Sequence, residues 1–144
     1  MFLKLLEDAY AIIDGIPEKR LKLNRWQKLN RWQVPSMRHV VRSASEIECG
    51  TLACAAGWLA LHPDMQRRGL VPSDDGGPSF MGKRDYIALA KFFRITESDA
   101  HYLFRPRYAE VAYREDHLSD KELWLHRARN LIYRYRECSI RLAE

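Results

Sequence analysis

The stretch Cys49-Gly50-Thr51-Leu52-Ala53-Cys54-Ala55-Ala56-Gly57-Trp58-Leu59-Ala60-Leu61-His62-Pro63 constrains the fold more than any other part of the chain. It reads as one short, buried helix with a marked start and stop. Gly50 can take a turn conformation closed to other residues, and Thr51 can then cap the backbone N–H groups that follow. Pro63 cannot continue a helix and disfavours helical geometry at His62, so the element ends there. Ala53, Ala56, Gly57 and Ala60 fall at i, i+3, i+4 and i+7, a stripe of minimal side chains down one face. A glycine inside a helix costs about 1 kcal/mol relative to alanine. Close approach by a neighbouring helix across the stripe is the expected compensation at Gly57. Leu52, Trp58, Leu59 and Leu61 project around the rest, which makes the segment apolar on nearly every side and central.

Helical periodicity recurs on both sides of this core. Phe2, Leu5, Leu6, Ala9, Ile12, Ile13 and Ile16 give an amphipathic first helix, stopped by Gly15 and Pro17. Pro63 to Arg68 forms a single turn closed by Gly69, and Ser73-Asp74-Asp75-Gly76-Gly77-Pro78-Ser79 is the strongest loop signal and the expected mobile segment. Lys83 to Phe93 returns to helix, with Tyr86, Leu89, Ala90 and Phe93 on one face. Thr96 caps the next helix, with Asp99 at the capping-box position, and Leu103 and Phe104 end it ahead of Pro106. Ser119 and Glu122 form a capping box for the last helix. Its apolar seam runs through Trp124, Ala128, Leu131, Tyr135, Cys138 and Leu142. No alternating strand pattern is evident. The fold class expected is all-α: a single domain, 1–144, of about five or six helices around the short central one.

A tandem hexapeptide, Lys22-Leu23-Asn24-Arg25-Trp26-Gln27 followed by Lys28-Leu29-Asn30-Arg31-Trp32-Gln33, precedes the core. Six residues turn a helix by about 240°, so the two tryptophans cannot share a helical face, whereas a strand would place them together. One copy is expected to pack, with Trp26 favoured, and the other to be tolerated in solvent; the alternative is an Arg-Trp surface in which Arg31 and Trp32 grip a partner or stack on bases. On the last helix Arg127, Arg134 and Arg141 lie seven apart, beside Arg129 and Arg136, on a face different from the seam. This row is the second candidate contact surface.

The Ile16-Pro17…Leu21…Trp26 lead-in, the Cys49-Gly50-Thr51…Cys54…Gly57-Trp58 core and the Phe92-Phe93-Arg94-Ile95-Thr96…Ala100…Leu103-Phe104 segment together resemble a group of small uncharacterised proteins found in phages and bacterial genomes. The resemblance covers most of the chain in pattern, and the Cys-Gly-Thr core is its most specific part. The second hexapeptide departs from that pattern, which has one such tryptophan. The resemblance implies a compact intracellular domain and a phage origin, and it supplies no catalytic residues.

The chemistry-bearing residues point away from catalysis. Cys49 and Cys54 are five apart, unlike the close pairs of common zinc sites, and a four-ligand site would need His39, His62 or Cys138 to converge from elsewhere. Cys49 at a helix N-terminus could be an activated nucleophile, but His39, His101, His117 and His126 form no recognisable local signature with it. Gly76-Gly77 follows acids, the wrong sign for a phosphate loop. No catalytic residue, metal or cofactor is therefore assigned. Three cysteines without an export signal indicate free thiols in a reducing cytoplasm. Charged residues interrupt the apolar N-terminus short of a membrane span. The net charge of +5 permits an anionic partner without demanding one. The expectation is a non-enzymatic module that binds another protein, as a phage-encoded modulator or inhibitor of a host machine such as a defence system. The alternative is nucleic-acid binding through the arginine-rich last helix and the Arg-Trp repeat.

Overall fold

The structure is a computed structural model that describes residues 2–23, 27–28, 52–106 and 118–143, with side chains at 3–23, 53–106 and 118–138. Helix α1 spans Phe2–Asp14 and buries Leu6, Ala9 and Ile13 on one stripe, as its periodicity predicts. Gly15 closes it by donating its N–H to the Ile12 carbonyl at 3.1 Å. After Pro17 comes a 3-10 turn, Glu18–Arg20, and then extended chain. Leu21 bridges Ala53, and the Lys22 N–H donates to the Ala53 carbonyl at 3.0 Å. Strand β1 (Gln27–Lys28) pairs antiparallel with β2 (Leu52–Ala53).

That pairing shifts the start of the central helix. The chain stays extended through Leu52 and Ala53 because their backbone groups are engaged sideways, so α2 runs over Ala55–Leu61 and its N-cap is Cys54. Thr51, the expected cap, lies outside the described residues, as do Cys49 and Gly50. The Cys54 Sγ accepts the Gly57 N–H at 3.5 Å. All seven residues of α2 are buried, which is the central position its composition predicts. His62 leaves helical geometry at ψ 131°, and Pro63 opens α3 (Pro63–Arg67) as its first residue.

The all-α expectation is corrected by a three-stranded antiparallel sheet, β3 (Val71–Pro72), β4 (Pro78–Phe80) and β5 (Lys83–Arg84). Strands of two or three residues are too short to show alternation; here turn chemistry builds the sheet, not a strand period. The segment expected to be mobile is the β3–β4 turn. Ser73 donates its N–H to the Gly77 carbonyl at 2.7 Å, and the Asp75 carboxylate accepts from Ser73 Oγ at 2.5 Å and the Gly77 N–H at 2.9 Å.

Helix α4 (Asp85–Phe93) buries Leu89, Ala90 and Phe93, and α5 (Glu97–Phe104) starts at the expected cap, where Thr96 Oγ1 accepts the Asp99 N–H at 3.0 Å. Helix α6 (Asp120–Ala143) likewise starts at Ser119, whose Oγ accepts the Glu122 N–H at 3.1 Å. It packs along α1 and α5. Trp124, Ala128 and Leu131 are fully buried, Tyr135 is half-buried and Cys138 is exposed, so the seam outlasts its cover. An aromatic chain ties sheet to helices: Phe80–Phe92, Phe92–Phe93, Phe93–Phe104 and Phe104–Trp124 have ring centroids 5.0–5.9 Å apart. Among the described residues there are six α-helices, and none is long and apolar enough to cross a membrane.

Candidate functional site

The structure withdraws one member of the expected arginine row of α6, Arg127, from the surface. Arg127 is 1% exposed, and its Nη1 donates to the Arg105 carbonyl at 2.8 Å. It lies four residues after Leu123, three after Trp124 and four before Leu131, inside an apolar face wider than the seam alone suggested. Arg134 is exposed but committed: its Nη2 reaches Asp99 Oδ1 at 3.1 Å, and its guanidinium lies 6.0 Å from the centre of the Tyr102 ring. Arg136 pairs with Glu7, and Arg129 donates to the Tyr10 hydroxyl at 3.2 Å. These side chains stitch α6 to α1 and α5. Arg141 stands on the last turns of α6 with its side chain outside the description; Arg31, Trp32, Trp26, His39 and His117 lie outside the described residues.

One core-motif residue, Trp58, holds the lead-in against α2. The Trp58 Nε1–H donates to the Arg20 carbonyl at 2.9 Å, and the Arg20 guanidinium covers its ring at 5.0 Å. Cys54 caps the N-terminus of α2, and burial pushes its thiol up to about 12; Cys49, the candidate nucleophile, lies outside the described residues. The His62 Nδ1 accepts the Asp64 N–H at 3.2 Å, and His101 stacks on Tyr86 at 3.9 Å between ring centroids. Among the described residues no group of three or more His, Cys, Asp or Glu side chains is placed to hold a metal ion.

The structure instead assembles a groove of about 870 Å³ between α1, the β4–β5 hairpin, the α3–β3 corner and α4. Four apolar side chains, Leu5, Phe80, Met81 and Phe92, and five cations, Lys4, Arg68, Lys83, Lys91 and Arg94, line it; no carboxylate does among the described residues. Gly69 makes room for the floor. Its φ of +103° suits glycine, and a Cβ there would stand 3.2 Å from the Phe80 ring. Behind the rim, Asp8 holds Lys4 at 2.9 Å and Arg68 at 3.3 Å, and the Lys4 ammonium is the first cause keeping its carboxyl below the usual value. Lys83 and Lys91 are exposed and make no ion pair with any described residue.

The groove edge is also where the backbone is costly. Met81 and Gly82 form a two-residue hairpin turn with φ +48° and +79°, positive at both positions as in type I′ geometry. Asn, Asp and Gly are the usual first residues of such turns; a left-handed non-glycine residue costs about 1–2 kcal/mol. Met81 sits there 81% exposed. Arg94, at φ +55°, is a second left-handed residue on the rim, in the place after α4 where glycine is the common choice. By contrast, in the hollow between α1 and α6 the lining groups Glu7 and Arg136 pair, and so do Tyr10 and Arg129.

Sequence reasoning missed this groove because its nine residues come from four separate segments. The one local signal was Phe80-Met81-Gly82-Lys83, an X-Gly pair at hairpin spacing. No family model matches the chain, and no curated protein or solved structure matches it either.

Proposed function

We propose that this protein is a non-enzymatic binding module that engages another protein through the groove between α1, the β4–β5 hairpin and α4. The observation that carries the reading is the groove's make-up: an apolar floor, a rim of cations with no carboxylate among the described residues, and an exposed methionine at its edge. Methionine and aromatic side chains are enriched at the buried centres of protein interfaces, and complementary charge sets partner and on-rate. The resemblance to phage and bacterial proteins extends the proposal to a phage-encoded modulator or inhibitor of a host machine, such as a defence system, acting in the host cytoplasm. Nucleic-acid binding through α6 is the weaker reading, because Arg127 is buried and Arg134 is paired.

Capture from a nuclease-treated host lysate tests the proposal, with the protein and its Lys83→Glu/Lys91→Glu variant as parallel baits. A nuclease-resistant protein retained by the parent and lost from the variant is the expected result. Retention that disappears with nuclease would favour the nucleic-acid reading. Retention indifferent to the substitutions would remove the groove from the proposal.

A further inference from the structure

The geometry points to an acidic, amphipathic segment of another protein as the occupant of the groove, with Met81 as the anchor of the contact. This inference rests on the reading of the groove as a protein-binding surface and names what it binds. Two observations lead to it independently. The first is charge. Lys83 and Lys91 stand at the rim without an ion pair to any described residue, and among the described residues no carboxylate lines the groove to answer them. An apolar side chain seated on Phe80 with carboxylates on either side would meet floor and rim together, as amphipathic segments do in apolar grooves.

The second is the hairpin. Its tip holds a methionine where asparagine or glycine would relieve the backbone, and then leaves that methionine in water. Neither choice serves the fold. Backbone strain combined with apolar exposure at one residue is the pattern of a functional contact, and a two-residue turn fixes the backbone that carries the side chain, so only the methionine's own torsions are left to order on binding. The same features argue against other anionic partners. Base stacking needs a broad exposed aromatic face; here Phe92 is buried, Phe80 is half-buried on the groove floor, and the exposed Met81 has no π face. A lipid surface would have to reach an apolar floor recessed behind its own cations.

The test uses the full chain and a fluorescein-labelled peptide with Leu and Phe on one helical face and Glu on the other. A Lys-rich counterpart, a single-stranded oligonucleotide and phosphatidylserine vesicles serve as competing probes. The Glu-rich peptide should bind the parent. Lys83→Glu/Lys91→Glu should weaken it about tenfold or more, and Met81→Asn by a similar factor, as loss of an anchor does. Met81→Asn should also raise the melting temperature, because asparagine tolerates the left-handed turn; a fall would show that Met81 packs into the fold and would overturn its role as anchor. Preference for the oligonucleotide or the vesicles, with the same dependence on Lys83 and Lys91, would overturn the inference. So would equal binding of the Lys-rich peptide. Failure of the Glu-rich peptide alongside groove-dependent capture from lysate would sink this choice of occupant and leave the binding-module reading standing. Loss of both would sink the two together.

Discussion

Replacing Trp58 by phenylalanine tests how the N-terminal lead-in is held to the central helix. The indole sits 5% exposed on α2, donates to the Arg20 carbonyl at 2.9 Å and lies under the Arg20 guanidinium. Phenylalanine keeps a π face for the cation but loses the donor. The net worth of the hydrogen bond is about 1 kcal/mol, at the low end of loss because the Arg20 carbonyl is only partly buried and water can replace the indole. The smaller ring buries roughly 50 Å² less, about 1.2 kcal/mol at 25 cal/mol per Å². Incomplete collapse of the space left adds up to ~0.7 kcal/mol. The expected loss is about 2–3 kcal/mol, a fall in melting temperature of roughly 6–9 °C for a chain of this size. Urea unfolding with unchanged m-value measures it. A loss below about 0.5 kcal/mol would refute the idea that Trp58 joins the two segments.

Arg127→Ala should cost about 2–4 kcal/mol, because it removes a fully buried side chain and leaves the Arg105 carbonyl without its donor; wild-type stability in a thermal melt would contradict the buried placement. At mildly alkaline pH, a thiol reagent should modify Cys138 in the native protein and spare Cys54, whose thiol is held up to about 12, and mass spectrometry of the labelled peptides reads the difference. Tyr135 is half-buried, donates to Asp99 at 3.0 Å and has its hydroxyl pushed to about 12, by burial first and by Asp99 second. Its folded value lies above the ordinary 10, so its contribution to stability is whole below pH 10 and disappears as the pH rises toward 12. Tyr135→Phe should therefore lose about 1 kcal/mol at neutral pH and show a shallower alkaline decline; parallel declines in parent and variant would assign the effect to another group.

Local sequence determined the elements whose cause is local. Gly15 and Pro17 stop α1, Thr96 and Ser119 cap α5 and α6 through their own hydroxyls, and Pro63 ends one helix while opening the next. The burial of α2 was legible for a similar reason, since a segment apolar on every side has nowhere else to go. Its start was not. Pairing of Leu52 and Ala53 with Leu21, Lys22, Gln27 and Lys28 holds the chain extended, and no property of the Gly50-Thr51 pair reveals a partner that far away. The short sheet escaped notice because strands of two or three residues carry no period and are made by their turns. Arginine identity likewise could not say which of Arg127 and Arg134 is buried. Their seven-residue spacing gives them nearly the same helical face, and the backbone at Arg105 covers one while the other reaches Asp99. The groove is tertiary in the fullest sense. Lys4, Arg68, Lys83, Lys91 and Arg94 converge only when the hairpin, α3, α1 and α4 close on one another, because charge density on a surface depends on distances that sequence separation does not encode.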